Sequence, residues 1–136
     1  VLGLASSGPH SNGFSLIRKV VDVSGASWDM PFDGATLADR ALEPTRIYVK
    51  QTLAVMKQIK IKGMAHITGG GLLEKTGNID RHEMHRVFNN GIGMAVIVSR
   101  EDADKAEAAF RAQGETVYRI GTIVKRPEGA PGCVVL

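Results

Sequence analysis

A loop of small and polar residues directly follows an apolar start, and this junction constrains the fold more than any other feature of the sequence. Residues 1–4 read Val-Leu-Gly-Leu, residues 5–13 are small or polar, and a helical pattern begins at Phe14. A strand, a small-residue loop and a helix in this order direct backbone N–H groups and a helix N-terminus at an anion. We therefore predict that residues 3–15 hold a phosphate group.

The same loop nearly matches a P-loop, since Gly8 is followed by four residues (9–12) and then by Gly13-Phe14-Ser15. A P-loop has lysine where Phe14 stands, so Walker-type hydrolysis of a nucleotide is not expected. Binding of phosphate by the backbone remains open, with an ordinary capped loop as the alternative. His10 either contacts the anion, moves a proton, or only hydrogen-bonds within the loop. Either Ser11 or Asn12 is expected to cap the helix. Arg18, one turn into the helix, could reach back to the phosphate. The predicted phosphate contacts are Ser6, Ser7, Gly8, His10, Ser11, Asn12, Gly13 and Arg18.

A second glycine-rich loop follows a second strand-like segment, residues 63–67. Three glycines in a row let a ligand approach the backbone closely, and a flexible connection is the alternative. His66, inside the strand, is interpreted as a core histidine. We expect the second loop to face the same ligand as the first; its residues are Thr68, Gly69, Gly70 and Gly71.

No metal site is predicted from the histidines or the cysteine. His82 and His85 are three residues apart, whereas the zincin pattern needs two histidines four apart on a helix. Polar surface or the rim of a substrate cleft is the preferred interpretation of this stretch. Cys133 is the single cysteine, which excludes an internal disulfide and a cysteine-based metal site.

The apolar spacing predicts an α+β fold with helices on a mostly antiparallel or mixed sheet. A helix is expected from Phe14 to a stop at Gly25, with Val23 on its apolar face. A loop with a turn at Asp33-Gly34 is expected next, followed by a short helix at residues 37–42. The next helix is expected to begin at Pro44, with the buried stripe Val49, Leu53, Met56 and Ile59. Further strands are predicted at residues 93–98 and 116–124, with a helix between them that buries Ala106 and Phe110.

Length, charge and composition restrict the class of protein. The 136 residues suit one domain, and the net charge of +3 is spread over helices with only 5% aromatic residues, so nucleic-acid binding is not expected. The apolar runs are too short to cross a membrane and no signal peptide is recognisable, so a cytoplasmic location is expected. Because Val1 opens a strand without an initiator Met, we interpret the chain as a fragment or a processed product.

Four ordered stretches carry a family resemblance. Residues 4–18, 44–50, 65–71 and 76–94 are similar to the C-terminal domain of phosphoribosylformylglycinamidine cyclo-ligase, also called aminoimidazole ribonucleotide (AIR) synthetase. The resemblance implies an ATP-dependent ring closure in purine biosynthesis, in which formylglycinamidine ribonucleotide (FGAM) and ATP give AIR, ADP and phosphate. It also implies a three-layer α/β/α sandwich, partly ferredoxin-like, with a mixed sheet of about four strands.

The same resemblance implies a division of labour. ATP and Mg²⁺ are expected to bind mainly to an N-terminal domain, which this chain lacks, so the isolated domain is expected to be inactive and to hold no cofactor. The partners implied are a small ribonucleotide substrate, the N-terminal domain and, at full length, a second copy of the enzyme. This domain would bind the substrate phosphate and close the cleft.

Two departures from the family pattern bear on these expectations. Glu74 directly precedes Lys75, where the family has a few tens of residues, so a segment is expected to be missing there. Asn90 stands where many relatives have cysteine, which argues against a role for a thiol. The alternatives are the substrate domain of another member of the superfamily (selenophosphate synthetase, thiamine-phosphate kinase or FGAM synthetase) and a non-catalytic ligand-binding module.

Overall fold

The computed structural model describes residues 1–10, 13–67 and 89–129. No helix in these ranges is long and apolar enough to cross a membrane. The helices described are α1 (Phe14–Ser24), α2 (Leu37–Ala41), α3 (Val49–Met56) and α4 (Ala103–Ala112). The strands described are β1 (Leu2–Ala5), β2 (Pro31–Phe32), β3 (Ala35–Thr36), β4 (Gly63–His66), β5 (Ile92–Ile97) and β6 (Val117–Arg119).

Four of these strands form one sheet in the order β4-β5-β1-β6, and every described pairing is antiparallel. The predicted α+β class and strand number are confirmed, and of the two sheet types expected, mostly antiparallel or mixed, the described strands form the antiparallel one. The reason is topological. β5 and β6 run in the same direction on either side of β1, and α4 connects them, so β1 separates the two parallel strands. This split β-α-β unit is the ferredoxin-like part of the fold.

One face of the sheet packs against α3 and α4. Alternation along β1 directs Leu2 and Leu4 to this face, and Phe110 of α4 is fully buried against them. This is the main core, and its buried residues are Leu2, Leu4, Tyr48, Val55, Ile59, Val96, Ala106, Phe110 and Val117.

Helix α3 differs from the sequence prediction in both its start and its buried face. It begins at Val49 rather than at Pro44; the segment before it is not helical, and the Pro44 carbonyl accepts a hydrogen bond from Ser7 Oγ (2.6 Å) in the first loop. Its buried face is the stripe Tyr48, Thr52, Val55 and Ile59. Val49, Leu53 and Met56, which were predicted to be buried, are exposed, and of the predicted stripe Ile59 alone is buried. Spacing identifies an apolar stripe, but it does not decide which of two adjacent stripes faces the sheet.

Helix α1 packs in a smaller cluster with α2 and Trp28. Its buried residues are Ile17, Val20 and Val21, whereas Val23, predicted to be on the apolar face, is exposed. Gly25 ends the helix, as predicted, in the left-handed region (φ 68°) that glycine adopts without strain.

Two further segments, residues 31–36 and residues 120–124, differ from the sequence prediction. Residues 31–36 form a small hairpin, β2 and β3, and Asp33 and Gly34 at its turn both have positive φ (46° and 78°). The predicted turn is therefore confirmed, inside a hairpin that was not predicted. The last described strand stops at Arg119, because residues 120–124 are exposed and pair with no other strand beyond the Ile120–Val1 hydrogen bond and the Val1–Gly121 contact.

Candidate functional site

The loop after β1 is fixed by its own hydrogen bonds. The Ser6 N–H donates to the Gly91 carbonyl (2.9 Å), and the Ser7 N–H donates to Nε2 of His10 (3.3 Å). These two amides are therefore already used within the protein. The Ser6 and Ser7 hydroxyl groups are used as well, since they donate to Asn89 Oδ1 and to the Pro44 carbonyl. An anion at this loop would instead meet the N-terminus of α1, where the first-turn N–H groups have no partner inside the helix.

His10 is 3% exposed and lies behind the loop. Because Nε2 accepts a hydrogen bond, the proton of the neutral ring is on Nδ1, which is buried without a partner. Burial lowers the pKa of His10, and the nearby His66 lowers it further. In the structure His10 therefore hydrogen-bonds within the loop and is disfavoured as a cation; its contact with an anion stays a prediction.

Three rings meet at the strand β5 bulge. His10, Tyr48 and His66 lie with their ring centroids 6.0 to 6.5 Å apart. The extra residue opposite the step from Leu4 to Ala5 is Gly93, and a Cβ there would lie 2.1 Å from the Tyr48 hydroxyl and 2.7 Å from Cε1 of His10. Only glycine leaves room for the two rings at this position.

Tyr48 and His66 have different surroundings within that cluster. The Tyr48 hydroxyl donates to the Ala5 carbonyl (2.7 Å), and burial raises the pKa of Tyr48 to about 12. Tyr48 is therefore an uncharged side chain whose hydrogen bond fixes the end of β1. His66 is exposed, so its interpretation as a core histidine is wrong: β4 is an edge strand of the described sheet, and the side chain lies at its margin.

Asn89 joins the first loop to the turn before β5. Its side chain is buried, its Nδ2 donates to the Gly8 carbonyl (3.2 Å), and its Oδ1 accepts from the Gly91 N–H (3.0 Å) and from Ser6 Oγ (3.4 Å). Three polar contacts from one buried side chain hold the loop and the turn at a fixed separation.

A pocket of about 440 Å³ opens between this loop, α1, α2 and the β2–β3 hairpin. One part of its wall is polar, from the loop and the turn, and the other is apolar, from α1 and the hairpin. The described residues that line it are Ser6, Ser7, Gly8, Pro9, Ile17, Val21, Phe32, Asp33, Leu37, Arg40, Ala41, Asn89, Asn90 and Gly91.

Arg40 is the cation among those lining residues. Its Nε donates to the Asp33 carbonyl (3.1 Å) and lies 3.7 Å from an Asp33 carboxylate oxygen. These contacts hold the guanidinium at the pocket and leave part of its donor set for a ligand. Sequence reasoning missed Arg40. The signal that could have identified it is the Asp33-Gly34 turn, which comes shortly before a short helix. A helix that follows a turn so closely can bring Arg40 into contact with Asp33.

Only some of the predicted site residues line the described pocket. Ser6, Ser7 and Gly8 line the pocket, and Gly13 is the N-cap of α1 (φ 76°), with no side-chain cap. Arg18 is exposed and is not among the described lining residues. The other predicted contacts lie outside the described residues, and so do both histidines of the weak metal motif; they are Ser11, Asn12, Thr68, Gly69, Gly70, Gly71, His82 and His85. The part of the chain that the structure describes contains no group of three His, Cys, Asp or Glu side chains placed to hold a metal.

Comparison with known families identifies the chain. A family model described as AIR synthase related protein, C-terminal domain, matches residues 1–79 and 74–133. The chain belongs to this family. The match includes the pocket-forming loop after β1 and the turn before β5.

Curated relatives agree with the family match. Proteins named phosphoribosylformylglycinamidine cyclo-ligase are 47% identical in Paraburkholderia phymatum and in Burkholderia cenocepacia, over the whole chain and 46–47% of the relative. The Chromobacterium violaceum protein of that name is 46% identical over 95% of the chain and 46% of its own length. The chain spans about half the length of the curated relatives it matches.

Proposed function

We propose that this chain is the substrate-binding C-terminal domain of an ATP-dependent cyclo-ligase that converts FGAM to AIR, with ADP and phosphate as the other products. The observation that carries this proposal is the 47% identity, over the whole chain, to relatives that bear the cyclo-ligase name. The loop of the first family stretch forms a wall of the described pocket. A binding pocket beside that loop is what a substrate domain requires.

We infer that the 5′-phosphate of the ribonucleotide binds at the polar end of the pocket. Arg40 offers a positive charge at the pocket, and the N-terminus of α1, at the end of the loop, offers first-turn N–H groups. Ser6 and Ser7 line the pocket, but their hydroxyl groups already donate within the protein. The neutral His10 contributes shape rather than charge. The apolar wall of Ile17, Val21 and Phe32 then excludes water from the rest of the ligand.

The ATP-dependent step is assigned to the half of the enzyme that this chain does not span. ATP and Mg²⁺, when bound, would activate the formyl oxygen, while this domain binds and orients FGAM. A homodimer at full length and a cytoplasmic location complete the proposal.

We also propose that a segment is missing between Glu74 and Lys75. The two family matches overlap at residues 74–79, and the alignment with the Paraburkholderia phymatum relative is 165 positions long, 29 more than the chain has. A single large gap at this junction accounts for both observations.

Titration calorimetry with FGAM tests the functional proposal. Arg40→Ala is expected to weaken FGAM binding by about tenfold or more, because a charge-assisted hydrogen bond to phosphate is lost. Arg18→Ala is the matched control, since Arg18 is exposed outside the described pocket lining, and it is expected to change the affinity by less than about twofold.

The chain is expected to have no ATPase activity by itself. Tight binding of ATP, with no binding of FGAM, would contradict the assignment as a substrate domain. Equal effects of the two arginine substitutions would show that the phosphate does not bind beside Arg40.

A further inference from the structure

The turn before β5 is closed both by its backbone and by the side chain of Asn89. The Ile92 N–H donates to the Asn89 carbonyl (2.9 Å). The two residues between them have positive φ, 47° at Asn90 and 86° at Gly91. Glycine and asparagine are the residues that adopt this region most readily. A bond from the Gly91 N–H to Oδ1 of Asn89 (3.0 Å) completes the turn, so the Asn89 side chain has one fixed orientation.

The backbone around Asn89 requires both a donor and an acceptor from its side chain. The Gly91 N–H needs an acceptor, which is Oδ1, and the Gly8 carbonyl needs a donor, which is Nδ2 at 3.2 Å. Aspartate has the right length but no donor when ionised, and glutamine is one methylene group longer. Asn89 is 3% exposed, so water does not replace either contact. The position therefore calls for an amide of this length.

Gly8, which accepts from Asn89, lies against the helix that carries Arg40. A Cβ at Gly8 would lie 3.3 Å from the Arg40 carbonyl oxygen and 3.2 Å from Cβ of Glu43. Both distances are shorter than an ordinary van der Waals contact, so the first loop and α2 meet at the backbone of Gly8. A shift of Gly8 is therefore passed on to the backbone of Arg40.

We propose that Asn89 is a positioning residue for the phosphate site. Through its bond to the Gly8 carbonyl it holds the first loop against α2, and it thereby sets where the Arg40 guanidinium lies in the pocket. This inference rests on the proposed function, in which Arg40 binds the phosphate of the ribonucleotide. Asn89, Gly8 and Arg40 all line the described pocket. Because a hydrogen bond weakens with distance and misalignment, a small displacement of Arg40 lowers the affinity for phosphate.

Asn89→Asp tests this role by titration calorimetry with FGAM at two pH values. At pH 8 a carboxylate oxygen replaces Nδ2 and faces the Gly8 carbonyl, so FGAM binding is expected to be about tenfold weaker than in the parent. Burial raises the pKa of a carboxyl group, and the protonated group can donate to that carbonyl. At pH 5.5 the difference in affinity between variant and parent is therefore expected to shrink to about threefold or less.

The other charged and titratable groups around Asn89 are the same in both proteins. They are His10 in the first loop, Asp33 in the hairpin, and Arg40 and Glu43 at and after α2. Their titration, and that of the FGAM phosphate, affects the parent and the variant alike. The ratio of the two affinities therefore reports the new carboxyl group. A loss at pH 8 that persists unchanged at pH 5.5 would overturn the proposal.

Gln51→Glu is the matched control. It also converts a partly buried amide into a carboxylic acid, but Gln51 lies on α3 and is not among the described lining residues of the pocket. The FGAM affinity of this variant is expected to stay within about twofold of the parent at both pH values, because distant sites act independently. A loss as large as that of Asn89→Asp would show a general effect of the buried charge and would refute the inference.

A double-mutant cycle shows whether Asn89 acts through Arg40. In an Arg40→Ala background, Asn89→Asp is expected to weaken FGAM binding at pH 8 by less than about threefold, because the group that Asn89 positions is gone. A merely structural role of Asn89 predicts the same loss in both backgrounds. Equal losses would therefore overturn the proposal.

The Nε–H group of Arg40 gives a readout that needs no ligand. It donates to the Asp33 carbonyl (3.1 Å), and in Asn89→Asp its NMR signal is expected to shift as the new carboxyl group titrates. A signal that is the same in parent and variant refutes the positioning role alone. The expected shift in a protein that does not bind FGAM refutes the functional proposal alone.

Gly8→Ala replaces Asn89→Asp if that variant does not fold. The added methyl group presses on α2 at the contact with Arg40 and Glu43 and leaves the Asn89 side chain in place. FGAM binding is expected to be about tenfold weaker, again with a smaller loss in the Arg40→Ala background. An unchanged affinity together with an unchanged Arg40 signal would overturn the proposal.

Discussion

At the scale of single residues, the site depends on neutral side chains in confined positions. His10 uses Nε2 to hold the Ser7 N–H, and it lies with Tyr48 against Gly93. A charged ring at this position would lose water without gaining an acceptor, because Nδ1 has no partner. The loop geometry therefore depends on the protonation state of His10.

This state predicts a pH dependence of stability. The pKa of His10 is lowered in the folded protein, so below the ordinary value of about 6.5 the unfolded chain binds more protons than the folded one. The free energy of unfolding is therefore highest above about pH 6.5, and it decreases as the pH falls below that value. Urea unfolding between pH 7.5 and 5.5 should show this loss.

His10→Gln is the variant that isolates the effect. It is expected to be less stable at pH 7.5 and to lose less stability than the parent as the pH falls. His66→Gln is expected to reduce the effect only in part, because His66 is the smaller of the two causes that lower the pKa of His10 and burial is the larger. A parent whose stability does not change over this range would contradict the prediction.

At the scale of elements, the pocket depends on a helix of five residues. Helix α2 carries Arg40 and two apolar lining residues, and a capping box fixes its start. Thr36 Oγ1 accepts from the Asp39 N–H (3.1 Å), and an Asp39 carboxylate oxygen accepts from the Thr36 N–H (3.2 Å). Such a short helix does not persist without this cap.

Thr36→Ala is expected to lower the free energy of unfolding by about 1 kcal/mol, because the side-chain cap is lost. It should also weaken FGAM binding, since Arg40 lies in the destabilised helix. Urea denaturation and calorimetry measure the two effects. Thr36→Ser keeps the hydroxyl group and is expected to restore both; a Ser variant as weak as the Ala variant would exclude capping as the cause.

The elements also show how far the sequence could be read. The spacing of apolar residues predicted α1, α2, β5 and α4 close to their observed bounds. It chose the wrong stripe of α3, because two apolar stripes lie side by side and the Tyr48 hydroxyl bond to Ala5 decides the rotation. A side-chain contact between residues 43 positions apart leaves no signal in local spacing.

At the scale of the whole molecule, distant segments are joined by a partly buried ion pair. Arg46 Nε lies 3.0 Å from a Glu115 carboxylate oxygen, and the Glu115 side chain is completely buried. The other oxygen of Glu115 has no hydrogen-bond partner. The pair fixes the segment before α3 to the segment after α4, on either side of the core.

Arg46→Ala is expected to destabilise the protein by about 3 kcal/mol, since it leaves a buried carboxylate unpaired. This is the low end of the usual range, because Arg46 itself is more than one third exposed. Arg119→Ala is the control: Arg119 is more than half exposed and Glu107 keeps Arg111 as a second partner, so the substitution should cost less than about 1 kcal/mol. Urea denaturation compares the two; equal losses would contradict a special role for the buried pair.

The sequence by itself determined the strand–loop–helix start, the α+β class and the family resemblance, because these follow from local order and from motifs. It also placed Ser6, Ser7 and Gly8 in the candidate site. Only the tertiary structure decided that Arg40, rather than Arg18, lies at the pocket. It also decided that His10 is buried, which lowers its pKa. Both depend on the packing of the hairpin, α2 and the turn before β5 around the first loop, which involves residues up to 85 positions apart.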